Sequence, residues 1–175
     1  MKWRRLQFPV AVLAFALLWF CVRFPYQVLG IAERLLSGPN QVDSLRLHLN
    51  GEFVESNLGT AVDPDGSVTV RLIAQQFLFV PHCVTVPAGR PVRFRITSAD
   101  VVHRFTVLQT DHAIEVVPNH VNESEMEFNA PGEYKAPCHE FCGAGHYDMR
   151  SRVVVLAQDQ FPKLAPEERL TCASP

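Results

Sequence analysis

The chain is 175 residues long, 47% hydrophobic and 19% charged, which suffices for one ordinary core with a short appendage and excludes two full domains. The formal net charge of −2 hides an asymmetry: Lys2, Arg4, Arg5 and Arg23 fall in the first 31 positions, and the remainder holds 12 basic against 18 acidic side chains, a net of −6. A domain of that sign is not built to track a phosphate backbone, so no nucleic-acid partner is expected. The first element in the chain is an apolar run from Leu6 to Val22, broken by Gln7 and Pro9, with Trp3 and Trp19 near its ends. It predicts one N-terminal transmembrane helix, short at its core but extended by the snorkelling of Arg23 and by the stretch from Phe24 to Ile31. A cleaved signal peptide fits the same pattern, although Trp19, Phe20, Val22 and Phe24 crowd the place where small residues should mark a cleavage site. In both cases the basic N-terminus stays in the cytoplasm and the rest of the chain lies outside it.

Between Glu33 and Gly66 the turn signals Ser-Gly-Pro-Asn, Asn-Gly and Asp-Pro-Asp-Gly leave little apolar periodicity except at Leu45, Leu47 and Leu49. This predicts a linker with one edge strand. From Val68 the texture changes to short runs rich in Val, Ile, Phe and Thr: Val68 to Ala74, Phe77 to Val80, Val84 to Val86, Pro91 to Thr97, Val101 to Leu108, Ile114 to Val117, Met126 to Asn129, the surroundings of Tyr134, and Arg152 to Leu156. Pro-Ala-Gly, Thr-Asp and Ala-Pro-Gly punctuate them at the spacing of an antiparallel β-sandwich. Pro162 to Leu170 is expected to form a last short helix, with a frayed tail beyond it. The expected division is residues 1–31 for the anchor and its flank, 32–66 for the linker, 67–158 for the β domain and 159–175 for the tail.

The segment Cys138-His139-Glu140-Phe141-Cys142-Gly143-Ala144-Gly145-His146-Tyr147-Asp148-Met149 lies between two of the strands. Two thiols, the His146 imidazole and a thioether within twelve residues form a soft donor set that favours copper, since structural zinc sites are usually completed by Cys and His without Met. A single-copper blue site would use one Cys between two His. Here there are two Cys, enough to bridge two copper ions. A Cys138–Cys142 disulfide would leave His146 and Met149 at ligand spacing without a purpose. Five cysteines are an odd number; Cys83 and Cys172 could pair with each other, but they are expected to be unpaired thiols.

The spacing Cys-x3-Cys-x3-His-x2-Met, preceded by Asp100-Val101-Val102-His103, resembles the dinuclear copper (CuA) motif of the cytochrome c oxidase subunit II family. The likeness extends to Ala74-Gln75-Gln76-Phe77-Leu78-Phe79, Pro87-Ala88-Gly89, Thr97 to Phe105 and Ala130-Pro131-Gly132-Glu133-Tyr134, covering about Val68 to Leu156. A single anchor resembles the B-type haem–copper oxidases. The resemblance implies a mainly β, cupredoxin-like Greek-key sandwich, with Cys138 and Cys142 as bridging thiolates and two copper ions per chain. It gives one imidazole to each copper, from His103 and His146, and makes Met149 and the Glu140 carbonyl weak outer ligands.

The same resemblance implies a second metal, magnesium, held through the Glu140 carboxylate at the interface with subunit I. It also implies that the aromatic pair Phe77 and Phe79 lies where electrons arrive, although alternation along a strand would equally place one of the two in the core. The implied activity is that of the electron-accepting subunit of a terminal oxidase in the bacterial inner membrane, copper domain outward. Its partners would be subunit I and cytochrome c or a similar donor. The alternatives are a CuA subunit of a nitric oxide reductase and a copper storage or delivery module. Glu123, Glu125 and Glu127 alternate with Ser124 and Met126. They share one strand face, either simply solvated or able to steer a basic donor.

Overall fold

The computed structural model of the chain describes residues 12–13, 15–24 and 40–172. The anchor expected over residues 1–31 falls largely outside these; the described part is helical over 15–24, and among the described residues no helix is long and apolar enough to cross a membrane. Residues 1–39 and 40–175 form two separate compact units.

The second unit is mainly β, as its alternating runs of branched and aromatic residues dictate. Its strands are β1 (Gly59–Val62), β2 (Val68–Gln75), β3 (Leu78–Val80), β4 (Cys83–Pro87), β5 (Pro91–Ser98), β6 (His103–Thr106), β7 (Ala113–Val116), β8 (Asn122–Glu127), β9 (Gly132–Pro137) and β10 (Arg150–Leu156). One sheet runs β1-β2-β5-β8, with β3 also paired to β2, and the other runs β4-β10-β9. β6 and β7 make a hairpin. Two neighbouring pairs are parallel, β2 with β5 and β4 with β10; the rest are antiparallel. The inner faces meet in a core of Val70, Leu72, Phe79, Val86, Phe94, Ile96, Phe105, Phe128, Val153 and Val155, all buried. Phe105 packs edge-on to Phe79 and tilts against Phe94.

β2 is buried on both faces. Its outward Ile73 joins Leu47, Phe53, Leu58 and Val121 in a second, smaller core, so the turn-rich segment ahead of β1 is packed down rather than loose. Leu45 and Leu49 are exposed, and only Leu47 of the three points inward. The edge strand expected in this region is β1, not the leucine-bearing stretch, which is a series of turns. An ion-pair cluster fastens the same segment: Glu52 accepts from Arg71 Nε at 3.1 Å and from Arg95 Nη2 at 2.8 Å. β8 begins at Asn122, four residues earlier than expected, because its outer face is acidic and only Met126 is buried; alternation without apolar residues hid it.

Two expectations at the C-terminus are corrected. Residues 162–170 form no helix. At their end Leu170 is paired with β1 instead: its N–H donates to the Thr60 carbonyl at 2.8 Å and Thr60 N–H to the Leu170 carbonyl at 2.9 Å, while Pro162 and Pro166 supply no amide donor. Cys83 and Cys172 are not free thiols but a disulfide with Cα atoms 5.4 Å apart. The short bridges of Leu170 to β1 and of Thr171 to Val84 bring the tail alongside β4, which places Cys172 opposite Cys83.

Candidate metal centre

The loop 138–149 leaves β9 and returns into β10, and its ends are closed by Cys138 N–H donating to the Met149 carbonyl at 3.0 Å. His146 N–H donates to the Gly143 carbonyl at 3.1 Å, opening a short 3₁₀ turn over His146–Asp148 that swings Met149 inward. β6 is laced to the loop by His139 N–H donating to the Arg104 carbonyl at 2.9 Å. This lacing sets His103, the first residue of β6, against the loop's thiols.

The side chains meet at the end of the main core. Cys138 Sγ lies 3.9 Å from Cys142 Sγ and 3.9 Å from His103 Nδ1. Cys142 Sγ lies 3.6 Å from His146 Nδ1 and 3.7 Å from Met149 Sδ. Cys138 Sγ is 3.3 Å from the Glu140 carbonyl oxygen. His103, Cys138, Cys142 and Met149 are buried, His146 is half-buried, and both cysteines are free. The distance between the two sulfurs excludes the disulfide alternative. His103, Cys138 and Cys142 offer ligand atoms within 4.8 Å of one another. A water-poor site of two thiols, imidazole nitrogens and a thioether suits a soft transition metal.

Electrostatics prepare the donors. Burial would raise the Asp100 carboxyl, but a hydrogen bond from His103 and main-chain donors at Gln76 and Val101 outweigh it and hold the group below its ordinary range. Its Oδ1 faces His103 Nε2 at 2.8 Å. An ionised carboxylate there accepts a hydrogen bond from Nε2–H and leaves the Nδ1 lone pair directed at the thiols. Burial, together with the neighbouring Cys138, pushes the Cys142 thiol up to about 11, so a bound cation must displace that proton.

The predicted residues divide. His103, Cys138, Cys142, His146, Met149 and the Glu140 carbonyl are brought together, while the Glu140 side chain is exposed beside a cleft of about 630 Å³ shared with Glu115 and Phe141. Phe79 is fully buried in the core. Phe77 is half-buried, its ring lying where a Cβ at Gly145 would collide with it. Three further residues belong to the site. Asp100 was legible in the Asp-x-x-His spacing. Phe141 and Tyr147, 70% and 80% exposed, flank His146 with ring centroids 5.7 and 5.4 Å away, and their signal was aromatic residues inside the ligand loop.

Residues 65–157 match the family described as cytochrome c oxidase subunit II, periplasmic domain. The chain is 33% identical over 115 residues to the cytochrome c oxidase subunit 2 of Thermus thermophilus, covering 66% of this chain and 85% of that protein. It is 33% identical over 87 residues to a probable cytochrome c oxidase subunit 2 of Rickettsia bellii, covering 50% of this chain and 32% of that protein. Among solved structures, a chain of a heme-copper terminal oxidase dimer, determined by cryo-EM, is 25% identical with a TM-score of 0.50, covering 85% of this chain and 99% of that one.

Proposed function

From the premise that this chain belongs to the cytochrome c oxidase subunit II family, we propose that it is the electron-accepting subunit of a haem–copper terminal oxidase and holds a dinuclear copper centre. Cys138 and Cys142 would be the shared thiolates, His103 and His146 would supply one imidazole to each metal, and Met149 with the Glu140 carbonyl would complete the set. The observation that carries this reading is the pair of free, buried thiols 3.9 Å apart with an imidazole nitrogen against each. Copper bound there supplies a one-electron couple.

The chain's own residues do the rest. Asp100 fixes the His103 tautomer, and the buried Met149 keeps water from the thiols. The site is walled by core strands, so its donors move little when charge changes. Phe141 and Tyr147 offer exposed aromatic surface around His146, and a donor, cytochrome c or a similar periplasmic protein, docks there. Phe77 lies beneath the loop, and Phe79 takes no part at the surface. Electrons pass on to the haems of subunit I, where dioxygen is reduced to water. The exposed Glu140 carboxylate can help bind magnesium at that interface. Residues 1–31 anchor the subunit in the inner membrane, with the copper domain on the periplasmic side.

The test is the electron paramagnetic resonance spectrum of the copper-loaded full-length chain. Two copper ions per chain with hyperfine coupling shared between them are expected, and Met149→Leu should keep both while shifting the potential. A four-line spectrum from one copper per chain would sink the bridging role of the thiols.

A further inference from the structure

The two halves of the metal centre come from separate stretches of chain, His103 on β6 and the remaining donors on the 138–149 loop. On the side of Cys142 they are joined through one residue outside the donor set, Gln76. Its side-chain amide donates to the Cys142 carbonyl at 2.5 Å. Its main-chain N–H donates to Asp100 Oδ2 at 2.7 Å, and the other oxygen of that carboxylate faces His103 Nε2 at 2.8 Å. We propose that Gln76 is a positioning residue that clamps the Cys142 segment and the His103 carboxylate partner in one frame, and thereby sets how evenly the two metal sites share an electron.

The packing around Gln76 supports this. A Cβ at Gly143 would lie 2.9 Å from Gln76 Nε2 and 3.0 Å from the Phe77 ring, so the loop is pressed onto this corner and glycine leaves the amide room to reach the carbonyl. Gln76 is itself exposed, so it is not a core filler; what it contributes is a donor. The main-chain bond to Asp100 survives most substitutions, whereas the amide bond to Cys142 depends on the side chain.

The inference rests on the copper reading above, and its test separates the two. Gln76→Met and Gln76→Glu are close in volume to the native residue; the first removes the donor, and the second, at pH 8, sets a carboxylate against the carbonyl oxygen. In the copper-loaded full-length chain, Gln76→Met should lose copper to a chelator about fivefold faster, the worth of one hydrogen bond, and Gln76→Glu faster still. In both, the hyperfine pattern should shift from equal toward unequal sharing. In the metal-free chain, exchange of the His146 amide, which donates to Gly143, should quicken by about the same factor. Variants that match the wild type in chelation rate and hyperfine pattern overturn the proposal, as does a lower copper content with an unchanged spectrum, which would mark a merely structural role. A wild-type chain without a paired-copper spectrum overturns the copper reading, and the metal-free exchange then decides whether Gln76 holds the loop.

Discussion

Replacing both members of the Cys83–Cys172 bridge by alanine tests the least expected feature of the fold. The bridge spans a sequence separation of 89, and for a loop of that length the chain-entropy relation gives about 4.6 kcal/mol of stabilisation through the unfolded state. Native contacts at the tail survive the change, because Leu170 still exchanges two main-chain hydrogen bonds with Thr60 and Arg169 Nη2 still donates to Asn57 Oδ1 at 2.6 Å. The loss therefore falls mainly on the unfolded side. With a guanidinium slope of about 4 kcal/mol per M, the unfolding midpoint of the metal-free protein should drop by about 1 M, read by circular dichroism with the slope compared between the two proteins. Double alanine replacement leaves no new buried thiol at Cys83, and mutation rather than reduction keeps Cys138 and Cys142 untouched. A thiol titration of the denatured wild type should find three reactive groups, Cys21, Cys138 and Cys142. Five reactive thiols, or a midpoint shift below about 0.3 M at unchanged slope, would refute the argument.

Burial alone would raise the Glu52 carboxyl, but Arg95 and Arg71 outweigh it and hold it below its ordinary value of 4.5. That stabilisation is complete above 4.5 and is lost as pH falls through the lowered folded value, so Glu52→Gln should cost about 1.5–3 kcal/mol at pH 7 and much less at pH 3. An equal cost at both pH values in denaturant titrations would show that the charge is not what matters. Gly145→Ala should reduce copper uptake, because its Cβ collides with the Phe77 ring, and adding Phe77→Ala should restore part of it; a double variant as poor as the single one would contradict the steric account. Glu123 is already engaged by Arg93 and Arg95, so Glu125→Gln and Glu127→Gln should weaken the salt dependence of reduction by a basic cytochrome c more than Glu123→Gln does. Phe141→Ser with Tyr147→Ser should slow that reduction without changing its salt slope. Stopped-flow rates over a salt series decide both, and a slope that tracks the aromatic pair would reverse the assignment.

The donor loop was legible in the sequence because it is local: Cys138, Cys142, His146 and Met149 lie within twelve residues, and one turn with a 3₁₀ step can fold them together in only a few ways. The β class was legible too, since alternation and turn residues are properties of neighbouring positions. His103 needed a resemblance, because nothing in the chemistry of a lone strand histidine ties it to a loop some 35 residues away. The rest depended on pairings that no local pattern encodes. Phe77 and Phe79 look alike in the sequence, yet sheet register sends Phe79 into the core and leaves Phe77 under the loop. Leu47, Phe53 and Leu58 show no periodicity because they close over β2 from a series of turns, each through its own approach. Pro162 to Leu170 carries helix-compatible residues, but Leu170 pairs with β1, and that pairing brings Cys172 to Cys83. The amino-acid pattern determined which donors exist and what elements carry them; only the tertiary structure decided which side chains meet, because strand order and register bring distant residues together whose local sequences contain no reference to one another.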